Sequence, residues 1–291
     1  MNRLFILPVL SLFVATSSGV IAQETREVDY KADVVYGKGG KQKLMLDLAV
    51  PNGPKAKGPF PTIVCIHGGG WRTGSRKQLS ELTKVLGKKG FVAATISYRL
   101  TPKAKFPAQV HDCKAAVRWL RANAKKYRID PNKIGAVGFS AGAHLVCLLG
   151  AADKTAGLEG NGGHPKQSSR VQAVVSFFGP TDFMVKRWTK QSENFFLIPF
   201  FGAPYKKAKA LYAKGSPQKY VSKDDPPFLF FHGDKDTLVG LHNSVDMAKL
   251  LRAKQVSAEV VVMKGEGHGW GGKKLQQSLE KTVKFFKEKL R

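Results

Sequence analysis

The chain has 291 residues, 43% of them hydrophobic and 24% charged, with 30 Gly and 15 Pro. That composition excludes a disordered, collagen-like or low-complexity chain and leaves room for one large α/β domain. The 48 Lys+Arg against 21 Asp+Glu give a net charge of +27, and 3 Cys are too few to staple a chain of this length.

Residues 1–22 have the layout of a secretory signal peptide. Arg3 precedes an apolar run from Leu4 to Ala15, and small and polar residues then lead to Ala22, after which cleavage is expected. The run is shorter than the about 20 residues of a transmembrane span. An uncleaved anchor is the competing reading, and no later stretch reaches spanning length without a charge or a helix breaker. The expectation is a secreted or periplasmic protein whose residues 23–291 form a single domain.

In chain order, strands are expected over residues 28–36, 43–48, 62–66, 91–97, 134–138, 171–177, 228–231 and 258–263. The first two are mixed in polarity and flank Gly37-Lys38-Gly39-Gly40, a turn signal, so they read as an antiparallel hairpin. The later runs are almost wholly apolar, as parallel strands covered on both faces are. Helices are expected over 77–88, 109–127, 141–149, 239–254 and 275–290. Within 109–127, Val110, Ala115, Val117, Leu120 and Ala124 make the buried stripe, and Lys114, Arg118, Arg121 and Lys125 fall outside it. Alternation of this kind predicts one doubly wound, mostly parallel sheet of about eight strands with helices on both faces. Residues 181–227 interrupt it with an aromatic-rich insertion, which reads equally as a cap over a cleft and as an excursion with its own small core. Cys65, Cys113 and Cys147 read as small buried hydrophobes, with a single disulfide and one leftover thiol as the alternative.

Two glycine motifs carry the chemistry. Gly138-Phe139-Ser140-Ala141-Gly142 is a G-x-S-x-G between an expected strand and an expected helix, the setting in which a serine hydroxyl is presented on a tight turn above a helix N-terminus. His67-Gly68-Gly69-Gly70-Trp71 follows an earlier strand. Such a loop can turn backbone N–H groups toward an oxyanion, with the N–H of Ala141 as a further donor. The serine needs a base, and the base needs an orienting carboxylate. Asp236 in His232-Gly233-Asp234-Lys235-Asp236 and His268 in Gly265-Glu266-Gly267-His268-Gly269-Trp270 follow in the required order, each in a loop after a strand. Asp234 is the rival carboxylate and reads as a turn residue. His144, His232 and His242 are the rival histidines and read as structural or solvated.

With these four motifs, Ser97-Tyr98-Arg99-Leu100 and Phe106-Pro107-Ala108, the chain resembles the α/β-hydrolase superfamily. Within it, the sequence is similar to secreted esterases that include the BD-FAE-type feruloyl and acetylxylan esterases. Phe139 stands where hormone-sensitive-lipase-like relatives often carry Asp, which points to the polysaccharide-esterase or peptidase-like side. The resemblance implies a carboxylic ester hydrolase with Ser140 as nucleophile, His268 and Asp236 as partners and Gly69, Gly70 and Ala141 as oxyanion donors, without metal or cofactor. Trp71, Trp188, Phe195 and Phe196 are expected to line the substrate pocket. The expected substrate is a short acyl or aryl ester, such as acetyl or feruloyl groups on polysaccharide. Peptidase-like or arylformamidase-like chemistry on the same fold is one alternative. A basic, inactive binder of anionic polymers is the other. The positive charge fits attraction to acidic polymers, and no nucleic-acid motif is visible.

Overall fold

The computed structural model describes residues 27–54, 56–184 and 188–291. The expected signal peptide at 1–22 lies outside them. Eight strands form one sheet in the order β1-β2-β4-β3-β5-β6-β7-β8. They are β1 (Glu27–Gly39), β2 (Gln42–Asn52), β3 (Phe60–Ile66), β4 (Val92–Ile96), β5 (Ile129–Phe139), β6 (Ala173–Phe177), β7 (Phe228–Gly233) and β8 (Ala258–Met263). β2 pairs antiparallel with both β1 and β4, and every pairing from β4 through β3 to β8 is parallel. This is the doubly wound sheet expected of an α/β-hydrolase fold.

Two-residue periodicity sorts each inner strand between two cores. Ile63 and Cys65 of β3 face one side, where α1 (Ser80–Lys88) brings Leu82 and Leu86. Val64 and Ile66 face the other, where α2 (Ala108–Ala122) brings Val110, Val117 and Leu120. The helix expected over 109–127 breaks at Asn123, whose side-chain amide donates to Trp119 O at 2.8 Å. A single turn, α3 (Ala124–Tyr127), follows and ends at Arg128, which takes the left-handed conformation.

The stripe drawn on α2 needs a larger correction. Lys114 and Arg118, expected outside it, are buried, with side chains 0% and 3% exposed. The connection between α4 (Ala141–Ala151) and β6 folds over the helix and supplies Glu159, which meets Lys114 Nζ at 2.7 Å and Arg118 at 3.1 Å. Ala152 O and Ser169 Oγ accept further bonds from Lys114. A cation paired and hydrogen-bonded in this way can be tolerated inside, and a helix-period count does not see its distant partner.

The insertion over 181–227 is an excursion that packs onto the main core. It contains α5 (Lys190–Ser192), a π-helical turn (Glu193–Leu197), α6 (Ile198–Phe201) and α7 (Tyr205–Gly215). Phe183, Leu197, Phe200, Phe201 and Tyr212 are buried in the same core as α2 and α4, so the segment's described residues form no satellite core. Phe195 is 55% exposed, and the half-buried Phe196 packs against the edge of that core. The last two helices are α8 (His242–Ala253) and α9 (Gly272–Lys289). All three cysteines are free and buried. Among the described residues no helix is long and apolar enough to cross a membrane.

Candidate active site

Ser140 sits between the end of β5 and the start of α4, with φ 51° and ψ −116°. Few non-glycine residues occupy this region, which costs roughly 1–3 kcal/mol where it is enforced. Its enforcement comes from the neighbours. Ser140 N donates to Phe177 O at 2.9 Å, and Ser140 O accepts from His144 N at 3.0 Å. Gly138 and Gly142 permit the crossing of strand and helix. A Cβ on Gly142 would collide with Ile66 O and stand 2.5 Å from His67 O.

His268 comes from the connection between β8 and α9, and Asp236 from the connection between β7 and α8. His268 Nε2 lies 2.8 Å from Ser140 Oγ, and His268 Nδ1 lies 2.7 Å from Asp236 Oδ2. The helix expected to begin at residue 239 begins at His242 instead. Leu238 and Val239 are used differently, since both backbone N–H groups donate to Asp236 Oδ1 at 2.9 Å. The Asp236 side chain is fully buried. Burial alone would raise its carboxyl, but hydrogen bonds from His232 and His268, the charge of His268 and the Val239 N–H outweigh this and hold it well below the usual carboxylate range. Asp236 therefore stays ionised through neutral pH and fixes the hydrogen of His268 on Nδ1, leaving Nε2 to accept from the serine.

The two loops are tied to each other. Asp234, the rival carboxylate, accepts from Gly265 N at 2.7 Å, and Lys235 N donates to Glu266 O at 2.9 Å. Of the rival histidines, His144 is buried between Trp71 Nε1 at 3.3 Å and Gly215 O at 2.8 Å. His242 lies at the start of α8, beside Asn243.

The loop after β3 runs under Ser140. A Cβ on Gly68 would meet Ser140 Cβ at 3.4 Å. Gly69 and Gly70 have φ of 105° and 58°, and Gly69 O turns away to accept from Arg72 N and Thr73 N. Among the described residues, no protein group accepts from the N–H of Gly69 or Gly70. Ala141 is the first residue of α4, so its N–H has no partner within the helix. The N–H groups of Gly69 and Gly70 are thus without a protein acceptor among the described residues, and that of Ala141 stands at a helix end that favours negative charge.

The residues expected to line the pocket divide. Trp71 is a core residue instead, 3% exposed, stacked on Phe200 with ring centroids 4.2 Å apart. Its large apolar ring anchors the insertion to the glycine loop. Trp188 is half-buried on Phe183 and borders a small cavity of about 20 Å³ with Leu238 and Asn243. Phe196 lies over Gly70, where a Cβ would come within 2.5 Å of its ring. Arg72 stacks over the Phe195 ring at 4.1 Å and donates to Phe195 O at 2.7 Å. A larger cleft of about 280 Å³ beside Asp182, Ala213 and Lys219 shares no lining residue with Ser140, His268 or Asp236. Sequence reasoning missed Phe178, whose ring packs on His268 with centroids 4.8 Å apart and whose φ is 44°. Nothing in Phe177-Phe178-Gly179 signals that role.

The BD-FAE family model matches residues 46–251. The probable carboxylic ester hydrolase LipM of Mycobacterium tuberculosis is 30% identical over 243 residues, covering 81% of this chain and 54% of that protein. The chain spans about half the length of LipM and of the esterase LipQ from the same organism. Among solved structures, a truncated carbohydrate esterase from gut microbiota superposes with a TM-score of 0.80 at 28% identity, covering 92% of this chain and 98% of that one. The butyrate-bound esterase Est2 of the planctomycete Thermogutta terrifontis superposes with a TM-score of 0.74 at 26% identity, covering 91% and 94%.

Proposed function

The chain belongs to the BD-FAE family of α/β-hydrolases, and from that premise we propose that it is a serine carboxylic ester hydrolase acting on short acyl or aryl esters carried by polysaccharide. The observation that carries this reading is the unbroken run from Ser140 Oγ to His268 at 2.8 Å and from His268 to Asp236 at 2.7 Å. Ser140 Oγ attacks the ester carbonyl while His268 Nε2 takes its proton. The N–H groups of Gly69, Gly70 and Ala141 receive the tetrahedral oxyanion. The alcohol leaves with the proton returned by His268. Water, deprotonated by His268, then attacks the acyl-serine, and collapse releases the acid and restores Ser140 Oγ–H.

Two features support the substrate class. Phe196 and the Arg72–Phe195 pair crowd the glycine loop, which favours small or flat acyl groups. The insertion also exposes Lys206, Lys207 and Lys209, and the loop that brings Lys105 against Gly202 adds Lys103 and Lys105. None of these five forms an ion pair among the described residues. Exposed cations without acidic partners attract an acidic polymer to this face of the protein. Residues 1–22, read as an export signal, would bring the enzyme to such polymers outside the cytoplasm.

The test is an ester panel of p-nitrophenyl acetate, p-nitrophenyl octanoate, methyl ferulate and acetylated xylan, run with wild type and Ser140→Ala. Hydrolysis of the acetyl or feruloyl esters by wild type alone is the expected result. Turnover of amide or formamide substrates in preference to every ester would favour the peptidase-like or arylformamidase-like chemistry.

A further inference from the structure

Behind Asp236 stands a second imidazole that the reaction above does not use. His232 lies near the end of β7, and its side chain is fully buried. Its Nδ1 is 2.7 Å from Ser244 Oγ on α8. Its Nε2 is 2.7 Å from Val239 O and 3.3 Å from Asp236 Oδ2. A carbonyl oxygen can only accept, so the hydrogen sits on Nε2 and Nδ1 accepts from the Ser244 hydroxyl. One neutral tautomer is therefore selected from both sides.

The consequence runs through one short loop. The His232 N–H holds the carbonyl of Val239, and the N–H of the same residue holds Asp236 Oδ1. The same imidazole hydrogen also faces Oδ2, the oxygen that receives His268. Asp236 thus meets one imidazole on the side of the serine and another, wholly dry, on the side of the core. We propose that His232 is a positioning residue for Asp236: its Ser244-locked Nε2–H clamps the Asp236–Val239 loop and sets the carboxylate against His268. This rests on the triad reading above. The competing account is that His232 only fills space at the end of β7.

The two accounts separate in variants of similar size. His232→Gln can carry an amide N–H to the place of Nε2, whereas the shorter His232→Asn reaches only the place of Nδ1. Steady-state kinetics on p-nitrophenyl acetate would be run for both, beside wild type and Ser140→Ala. An active wild type with an inactive Ser140→Ala establishes the triad reading independently of His232. His232→Asn is then expected to lose about 10²-fold in kcat at unchanged KM, the cost of misplacing a reacting group by about 1 Å. His232→Gln is expected to recover to within about 10-fold of wild type on the same principle. Should the Asn variant fail to fold, Ser244→Ala decides. It keeps the ring and its Val239 bond but removes the anchor at Nδ1, so the clamp loosens and kcat is expected to fall about 5-fold, the worth of one net hydrogen bond. Wild-type kcat in a folded His232→Asn, a His232→Gln as slow as His232→Asn, or wild-type kcat in Ser244→Ala where that variant decides would each overturn the proposal.

Discussion

His268 Nε2 lies 2.8 Å from Ser140 Oγ although 128 residues separate them. The serine follows β5 and the histidine follows β8, and β6 and β7 lie between these strands. At about 4.8 Å per strand, the histidine loop must reach back roughly 14 Å over its neighbours. Gly265, Gly267 and Gly269 make such a loop possible, with Gly265 and Gly269 at positive φ. Gly233 gives it passage, since a Cβ there would strike Glu266 O and Gly267 O.

Asp236→Asn tests the tautomer. The amide can still accept from Leu238 and Val239, so the loop should keep its shape. If its NH₂ faces His268, it donates to Nδ1 and moves the ring hydrogen to Nε2, where it opposes the serine proton. The expected outcome is a fall in kcat of about 10⁴-fold in the folded protein, with a lower melting temperature because the charge-assisted bonds from His232 and His268 are lost.

Phe196→Ala tests the wall over Gly70. Removing the ring opens space beside the free N–H groups, so longer acyl chains should gain. The ratio of kcat/KM for p-nitrophenyl butyrate to that for the acetate is expected to rise about 10-fold, the scale of one or two methylenes in an apolar pocket. A fall in both rates without a change in ratio would place Phe196 outside the acyl path.

Glu159→Gln removes the negative partner of two buried cations. Lys114 then keeps only neutral acceptors, Ala152 O, Ser169 Oγ and the new amide oxygen, with no negative charge beside it. Unfolding in urea is expected at about 3 kcal/mol lower stability, the usual cost of breaking a buried pair from one side. kcat for the folded fraction should not change, because these groups touch no part of the site.

Stability should also fall on mild acidification. Burial lowers the imidazoles of His67 and His144 from 6.5 to about 4, against a smaller opposing effect of their bonds to Gly68 and Gly215 carbonyls. The folded state then refuses a proton that the unfolded chain accepts below pH 6.5. The contribution is full above that pH and is lost as pH falls toward 4, roughly 3 kcal/mol for each ring. Asp225, pushed up to about 6 by burial, acts in the opposite sense over pH 6 to 3.8 and offsets part of it. Urea midpoints should therefore drop between pH 7 and 4.5, and a flat or rising midpoint would contradict this.

What the sequence reveals depends on how local the cause is. G-x-S-x-G and H-G-G-G are legible because the sterics of a tight turn act within five residues, and the apolar strands are legible because burial on both faces leaves a continuous run. Lys114 and Arg118 are misread because their partner, Glu159, lies in a connection with no periodic signal. Trp71 is misplaced because a tryptophan next to a glycine loop looks the same whether it faces substrate or Phe200. His232 gives no warning of its place behind Asp236, since the contact needs Ser244 on α8 to fix the ring.

Whether Ser140 is the nucleophile is decided by turnover of p-nitrophenyl acetate by purified wild type and Ser140→Ala. A loss in kcat of about 10⁶-fold is expected, in a protein that melts at the wild-type temperature. A folded Ser140→Ala with near-normal turnover would contradict it.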